Sequence, residues 1–469
     1  MKTHTCTTAL VQFRQKLYQN FTNRADTLME LVDALCSNGS ARSVVELCLT
    51  PCFRRTYSTL YKALAECNWD DHQLARLLSP FLPHPRQRAF WLLGVDVTPQ
   101  PRPFAQTLVD RTMVYHPNPV AGNIPVTIGH QYSTVALLPE GEAHRSPSWV
   151  LPLSTARVAS TDDKEGVGAA QIDALLQDRA LPFHDQLCVE VADSKYSKPA
   201  YLHAHRRHAN LVTIVRVASN RTFYRPPEGA NERVGTGHPI WYGARFVLGD
   251  PSTWPPCATQ ALTQHVSRRG KRYRVEIQSW NNCLMRGQRK PKLLPMQRYP
   301  FTLVRIVFYD QAGQQAFGHP LWLIVIGQRR HELNAFAIYH AYARRYDLEH
   351  FFRFGKQHLL LTAFQSPDTQ REEAWWQLVH LAYAQLWLAR DAVVALPRPW
   401  ERNLPSMRSG QLSPSLVQRD FGRIIRQIGT EAQPPKPRGI SAGRRLGTHL
   451  PPRPRQKVVI KGHQQAQAP

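Results

Sequence analysis

The chain has 469 residues, 42% of them hydrophobic, with 59 Lys and Arg against 34 Asp and Glu and a formal net charge of +25. That length suits about three structural units, the apolar share is enough for real cores, and the charge makes a polyanion the expected partner, nucleic acid first. No run of 18 or more uninterrupted apolar residues is present, and the cations are not gathered on one amphipathic helix, which argues against a membrane as that polyanion.

The opening MKTHTCTTALVQFRQKLYQNF lacks the apolar core of a signal peptide, so a cytoplasmic, nucleoid-associated protein with reduced thiols is expected. Of the eight cysteines only Cys48 and Cys52, in CLTPC, have a spacing that structural zinc could use. No His-x-x-x-His partner follows at finger spacing, so free, buried thiols are expected. Residues 1–88 read as a helical N-terminal region that could bind DNA ends. DTLMELVDALCSN, SARSVVELCLTP, RTYSTLYKALAEC and DDHQLARLLSPFL predict short helices, with Ser40 and Asp70 as N-caps and Pro51 ending the second. The middle pair suits a helix-turn-helix presenting Arg54, Arg55, Ser58, Thr59 and Lys62 to DNA. It suits a plain packing bundle equally well.

After HPRQR the pattern changes to strands. WLLGVDVT (91–98), HQYSTVALLP (130–139), LCVEVAD (187–193), LVTIVRVA (211–218), TLVRIVFYD (302–310) and PLWLIVIG (320–327) are short apolar or β-branched runs. GVGAAQIDALLQDRA lies between the second and third as an amphipathic helix. This alternation predicts a mixed α/β sheet covered by helices, its first part over 89–219 and its second over 301–395. Between them, 220–300 is rich in Arg, Trp, Pro and Gly, with an alternating KRYRVEIQSW, and suits a β-rich insertion. Helices dominate after Glu332, including REEAWWQLVHLAYAQLWLARD and a helical segment within 396–429. The remainder, 430–469, is rich in Pro and cations with almost no acids and reads as a disordered basic tail able to hold DNA without reading its sequence.

Two aspartates stand at the ends of apolar strands, Asp96 in GVDVT and Asp193 in VADSKY. A charge at such a place costs several kcal/mol unless it is paired or binds a metal, although each aspartate alone also suits a turn or a cap. A third acid, Glu349, lies in YARRYDLEHFFRFGK. On one continuous helix Tyr342, Arg345, Glu349 and Lys356 would project within an arc of roughly 60°. That face alone reads as a solvated, salt-bridged surface. The three acids together form a hard-oxygen ligand set, without thiol or imidazole, that suits Mg²⁺.

Tyr342-x-x-Arg345-x-x-x-Glu349-x-x-x-x-x-x-Lys356, after two strand-end aspartates in the right order, resembles the Tyr-Arg-Glu-Lys signature of the DDE transposases of bacterial insertion sequences, in the insertion-sequence-four and allied seven-hundred-and-one groups. The likeness spans about 90–395. It departs where Ser194, Lys195 and Tyr196 follow the second aspartate, which places the chain nearer the allied group.

The resemblance implies an RNase H-like mixed sheet flanked by helices, interrupted by a β-rich insertion domain, with Asp96, Asp193 and Glu349 holding two Mg²⁺ ions, Mn²⁺ being a possible substitute. It implies double-stranded DNA as substrate, both the element's terminal inverted repeats and target DNA, and a homodimer on paired ends. The reaction would be in-line cleavage of a phosphodiester followed by strand transfer. Tyr342, Arg345 and Lys356 would contact DNA near the cut, with Lys195, Arg216 and Arg221 along its path. Trp280 or Trp241 could stack on a flipped base, against a structural role that suits either better. Glu190, three residues before Asp193, would face away from it, and Asp162 and Asp163 suit a solvated turn or cap. His203, His205 and His208 suit a basic DNA-facing loop better than a metal site, because Arg206 and Arg207 would repel a cation. Two other readings stay open: a structure-specific nuclease on the same fold, which would not need the Tyr-Arg-Glu-Lys face, and a domesticated DNA-binding protein, which would gain nothing from three carboxylates.

Overall fold

The apolar runs form strands where the pattern places them. The computed structural model describes residues 2–69, 71–115, 125–141, 149–228, 240–267, 270–288, 293–394, 398–401, 412–437, 443, 445–449 and 451–461. Within it β1 (Trp91–Pro101), β3 (Val126–Leu137), β5 (Cys188–Ala192), β6 (Leu211–Val217), β11 (Phe301–Tyr309) and β12 (Leu321–Ile326) fall on the anticipated runs. The pattern does not announce β2 (Thr112–Tyr115) or β4 (Leu151–Val158). With β9 (Thr259–Val266) and β10 (Arg272–Cys283) they make one mixed sheet, in the order β2-β3-β1-β5-β6-β12-β11-β10-β9 with β4 on the far side of β3. β1 runs antiparallel to β3 and parallel to β5, which is parallel to β6. Every residue of β5 is buried, as expected of a parallel strand covered on both faces; its sequence, CVEVA, is apolar except for Glu190, which Tyr201 and Thr213 satisfy.

The segment 220–300 is not set apart from this sheet. It is β-rich, but β9 and β10 extend the central sheet through β11, and among its described residues only β7 (Thr222–Tyr224) with β8 (Arg245–Val247) forms a separate pair. Its tryptophans explain the arrangement. Trp254 and Trp280 pack with Phe246 and Trp322 of β12 at ring separations of 5.2–6.3 Å, so the insert shares its core with the sheet.

The N-terminal region is likewise joined to the rest. α1 (Lys2–Asn20), unannounced by the sequence pattern, and α2 (Ala25–Cys36), α3 (Tyr57–Glu66) and α4 (Asp71–Leu78) pack around α9 (Thr369–Ala389). Buried Arg14 on α1 pairs with Asp33 on α2, and both hydrogen-bond to Gln385 on α9. The expected helix over 40–51 is a single 3₁₀ turn, Val45–Leu49. Asn38 accepts from the amides of Ser40 and Ala41, and Glu46 accepts from the Arg42 amide and the Ser43 hydroxyl, so side chains compete for the backbone donors of a first helical turn. Ser40 therefore caps nothing; the proposed cap Asp70 lies outside the described residues. Arg54 and Arg55 are also engaged, pairing with buried Glu30 and donating to the carbonyls of Ala432 and Gln433, which leaves the helix-turn-helix reading without its first helix and its leading cations.

α5 (Lys164–Gln177) and α6 (Pro199–His205) cover one face of the sheet, and α7 (Ala335–Ala343) and α8 (Tyr346–His358) cover the other. α9 is tied to the sheet by Glu372, fully buried, which accepts from Arg102, from His130 (2.7 Å) and from the Tyr132 hydroxyl (2.9 Å). α10 (Pro414–Ile428) completes the helical layer against α9. Part of the tail, from Arg453 to Lys461, is docked on the fold, which differs from the disorder expected there. Val459 bridges Thr112 at the edge of β2, with its amide on the Arg111 carbonyl (2.8 Å), and Gln456 reaches the Gln106 carbonyl. The run Val458-Val459-Ile460 is β-forming, and an open sheet edge offers it backbone partners. Cys36, Cys48, Cys52, Cys67, Cys188, Cys257 and Cys283 are free thiols, four of them buried. No described helix is long and apolar enough to cross a membrane.

Candidate active site

The site is built where β1 and β5 run side by side and α8 packs on β1. Asp96 lies in the middle of β1, opposite Thr134 of β3, with Oδ1 accepting from the Val97 amide (2.8 Å). Asp193 follows the last residue of β5, and its Oδ1 accepts from the Lys195 amide (2.8 Å), capping a short 3₁₀ turn. Parallel pairing of β1 with β5 carries both aspartates toward the same end of the sheet.

Glu349 arrives on α8. The single helix expected over Tyr342–Lys356 is broken: α7 ends at Ala343 and α8 begins at Tyr346. Between them the amides of Arg345, Asp347 and Leu348 each bond to the carbonyl three residues back (2.9–3.1 Å), a tight turn in place of α-helical geometry. Side-chain pairs span the break, Arg344 with Asp347 (2.5 Å) and Arg345 with Glu349. Gly94, two residues before Asp96 and so on the same face of β1, brings α8 close. A Cβ there would lie 2.8 Å from Cδ1 of Leu348, the neighbour of Glu349.

Arg345 sits among the acids. Its Nη2 donates to Glu349 Oε1 at 2.6 Å, and its Nη1 is 3.6 Å from Asp96 Oδ2. Burial pushes the Asp96 carboxyl up to about 6 against the opposing pull of Arg345, and the charges of Asp193 and Glu349 add to the rise. The three carboxylates thus feel one another. The signature's other members close around them. Tyr342 is buried; burial raises its hydroxyl, Arg345 and Arg216 oppose that rise, and Asp193 adds to it, which places the ring between these charges. Lys356 reaches across to β1, its Nζ donating to Thr98 Oγ1 at 2.6 Å; burial lowers its pKa and Asp96 opposes the fall.

Of the expected site residues, the fold gathers Asp96, Asp193, Glu349, Tyr342, Arg345, Lys356, Lys195 and Arg216 at one place. Arg221 lies apart, on the turn after β6, over the ring of Phe223. Lys164 joins the group without having been singled out. It opens α5 beside Lys195 and Asp193, and burial together with the Lys195 charge pushes its ammonium down to about 8. The available signal was a lysine at the first position of a helix, where the dipole disfavours a cation. Lys195 Nζ lies 5.8 Å from the Tyr115 ring centre.

The other candidates resolve separately. Glu190 is fully buried and bonded to Tyr201 and Thr213, away from the aspartates. Asp162 and Asp163 are exposed, on the approach to α5. Trp280 is core, while Trp241 is 39% exposed. Two of the three histidines, His203 and His205, lie on α6 rather than on a loop. His203 packs on Tyr299, His205 bonds to Thr213, and His208 pairs with Asp173 (2.7 Å).

Three hard carboxylates without thiol or imidazole are the donor chemistry that Mg²⁺ takes. As the side chains stand, no group of three or more His, Cys, Asp or Glu among the described residues is arranged to hold a metal, and between Asp96 and Glu349 the positive charge is a guanidinium. A family profile described as DDE superfamily endonuclease matches residues 16–282, more than half of the chain; the span contains Asp96 and Asp193 and stops before Glu349. No curated protein matches the chain.

Proposed function

Since the chain belongs to the DDE superfamily endonucleases, we propose that it is a transposase of the Tyr-Arg-Glu-Lys type, cutting DNA at the ends of an insertion element and joining those ends to target DNA. The observation that carries this reading is the gathering of Asp96, Asp193 and Glu349, contributed by β1, the end of β5 and α8, around Arg345. The strand order β4-β3-β1-β5-β6, antiparallel on one side of β1 and parallel on the other, supports an RNase H-like core. The signature residues at positions 342, 345, 349 and 356 support the finer assignment.

Asp96, Asp193 and Glu349 would hold a pair of Mg²⁺ ions, which when bound supply charge neutralisation for in-line displacement at phosphorus. The protein's own residues do the rest. Arg345, released from the carboxylates, offers two parallel donors to a phosphate. Lys164 and Lys195 flank the Asp193 side, so the cut strand lies between cations while the carboxylates face its phosphate. Lys356, held on Thr98, adds fixed positive charge behind Asp96. Two copies on paired element ends would perform the joining step.

The test is nicking and strand transfer on duplexes carrying the element's terminal repeats, with Mg²⁺. Glu349→Gln is expected to bind the same duplexes and to cut them about a thousandfold more slowly, a loss of several kcal/mol of transition-state stabilisation. Unchanged cutting by the variant would remove Glu349 from the reaction. Cutting without joining would leave an endonuclease and refute the transposase assignment.

A further inference from the structure

A cavity of about 250 Å³ opens between the loop after α6, the start of β6 and the loop after β12. It lies at the end of the sheet away from the carboxylates, since Leu211 and Thr213 on its wall pair with Cys188 and Glu190 at the start of β5, whereas Asp193 follows that strand's other end. Gly327 shapes the wall. Its φ is +148° and a Cβ would stand 2.4 Å from the Leu211 carbonyl, so only glycine fits.

The wall is cationic. Arg206, Arg298, Arg330, His205 and His208 line it, and no carboxylate is among its lining residues. Arg206 donates to the Tyr299 hydroxyl (3.0 Å) and Arg330 to Asn282 (3.0 Å) and the Gly327 carbonyl, so both are positioned by neutral partners that leave their charge uncompensated. Arg298 stands exposed at the rim. Acids close in sequence or contact to the lining residues are already used: Asp173 by His208 and Arg207, Glu190 by Tyr201, Thr213 and His205, and Glu332 by Arg329. His205 is 5% exposed; its Nδ1 side faces Glu190 (3.0 Å) and Thr213, and its Nε2 is buried without a hydrogen-bond partner. The remaining wall, Leu202, Leu211, Tyr299, Pro300 and Ile326, is a compact apolar and aromatic slot.

We propose that this cavity binds a mononucleotide, free or as the terminal residue of a DNA strand. Arginines without counter-charge take the phosphate, and the slot takes a flat ring. A duplex is too wide to enter. The assignment does not depend on the transposase reading, because it uses none of the three carboxylates.

The experiment is calorimetric titration of the full chain with deoxyadenosine 5′-monophosphate in EDTA, which keeps metal-mediated binding at the carboxylates out of the signal. Saturable one-to-one binding is expected, weakened at least about tenfold by Arg298→Glu, the loss of one charge-assisted contact, with Arg206→Glu acting likewise and Asp96→Asn leaving it unchanged. A 5′-phosphorylated single strand that competes identifies a strand end as the ligand; one that fails to compete identifies the free nucleotide. No saturation in the millimolar range, equal affinity in the arginine variants, loss of binding in Asp96→Asn, or equally tight binding of inorganic phosphate or deoxyadenosine would each overturn the proposal.

Discussion

Asp96 keeps its proton to about pH 6, where an ordinary aspartate has lost it by 3.8. The folded state therefore holds a proton that the unfolded chain has released across that interval, and stability falls as pH rises from about 4 to 6. The expected cost above pH 6 is about 3 kcal/mol. Asp96→Asn, which cannot ionise, is expected to flatten this slope in metal-free thermal unfolding; an unchanged slope would show that Asp96 is not its source. Binding a cation requires the carboxylate, so metal affinity should fall as pH drops below 6. Arg345 occupies the same electrostatic position as that cation. Arg345→Ala is expected to destabilise the metal-free protein and to tighten Mg²⁺ binding about threefold to tenfold, the pair being partly solvated. Weaker binding, measured by calorimetry, would mean that Arg345 orients the carboxylates rather than competing for them.

At the scale of elements, the approach of α8 to β1 decides where Glu349 stands. Leu348 fits against Gly94 with no room for a Cβ, and Glu349 is the next residue. Gly94→Val should overpack this contact at a cost of about 1–3 kcal/mol. It should also slow Mg²⁺-dependent cutting about a hundredfold, because a displacement of roughly 1 Å at a reacting centre is enough for that loss. DNA affinity should be unchanged, and a variant that cuts at the normal rate would show that the helix has slack. The break between α7 and α8 belongs to the same scale. It lets Tyr342, on the end of α7, turn toward Asp193 while Glu349 and Lys356 on α8 turn toward β1.

Across the whole molecule, the N-terminal helices and α10 wrap α9, whose Glu372 grips the sheet. A basic strap runs along the far edge, from Arg453 on the Pro367 carbonyl to Lys461 on the carbonyl of Asp162 (2.7 Å), just before α5 and Lys164. Truncation after residue 450 removes Arg453, Arg455, Lys457 and Lys461. The dependence of log affinity on log salt should become shallower by about 0.9 for each of these cations that neutralises a phosphate. A slope unchanged by truncation would make the strap a cover for the β2 edge and nothing more.

The sequence by itself determined the partner class, through net charge, and the main strands, through apolar runs that only a sheet buries on both faces. It also named three acids and most of the cations that the fold gathers, because Asp96, Asp193 and the spacing from Tyr342 to Lys356 are written in the chain. Long-range contact decided the rest. A helical period cannot report that the backbone tightens to bonds three residues back between Ala343 and Tyr346 and so divides the helix, nor composition that Val459 meets an open edge at Thr112. The tryptophan-rich segment joins the sheet because Trp322, some seventy residues beyond Trp254, shares its core. Lys164 becomes part of the site only when α5 is laid beside Asp193. Burial and electrostatics are properties of neighbours in space, and those neighbours exist only once the chain has folded.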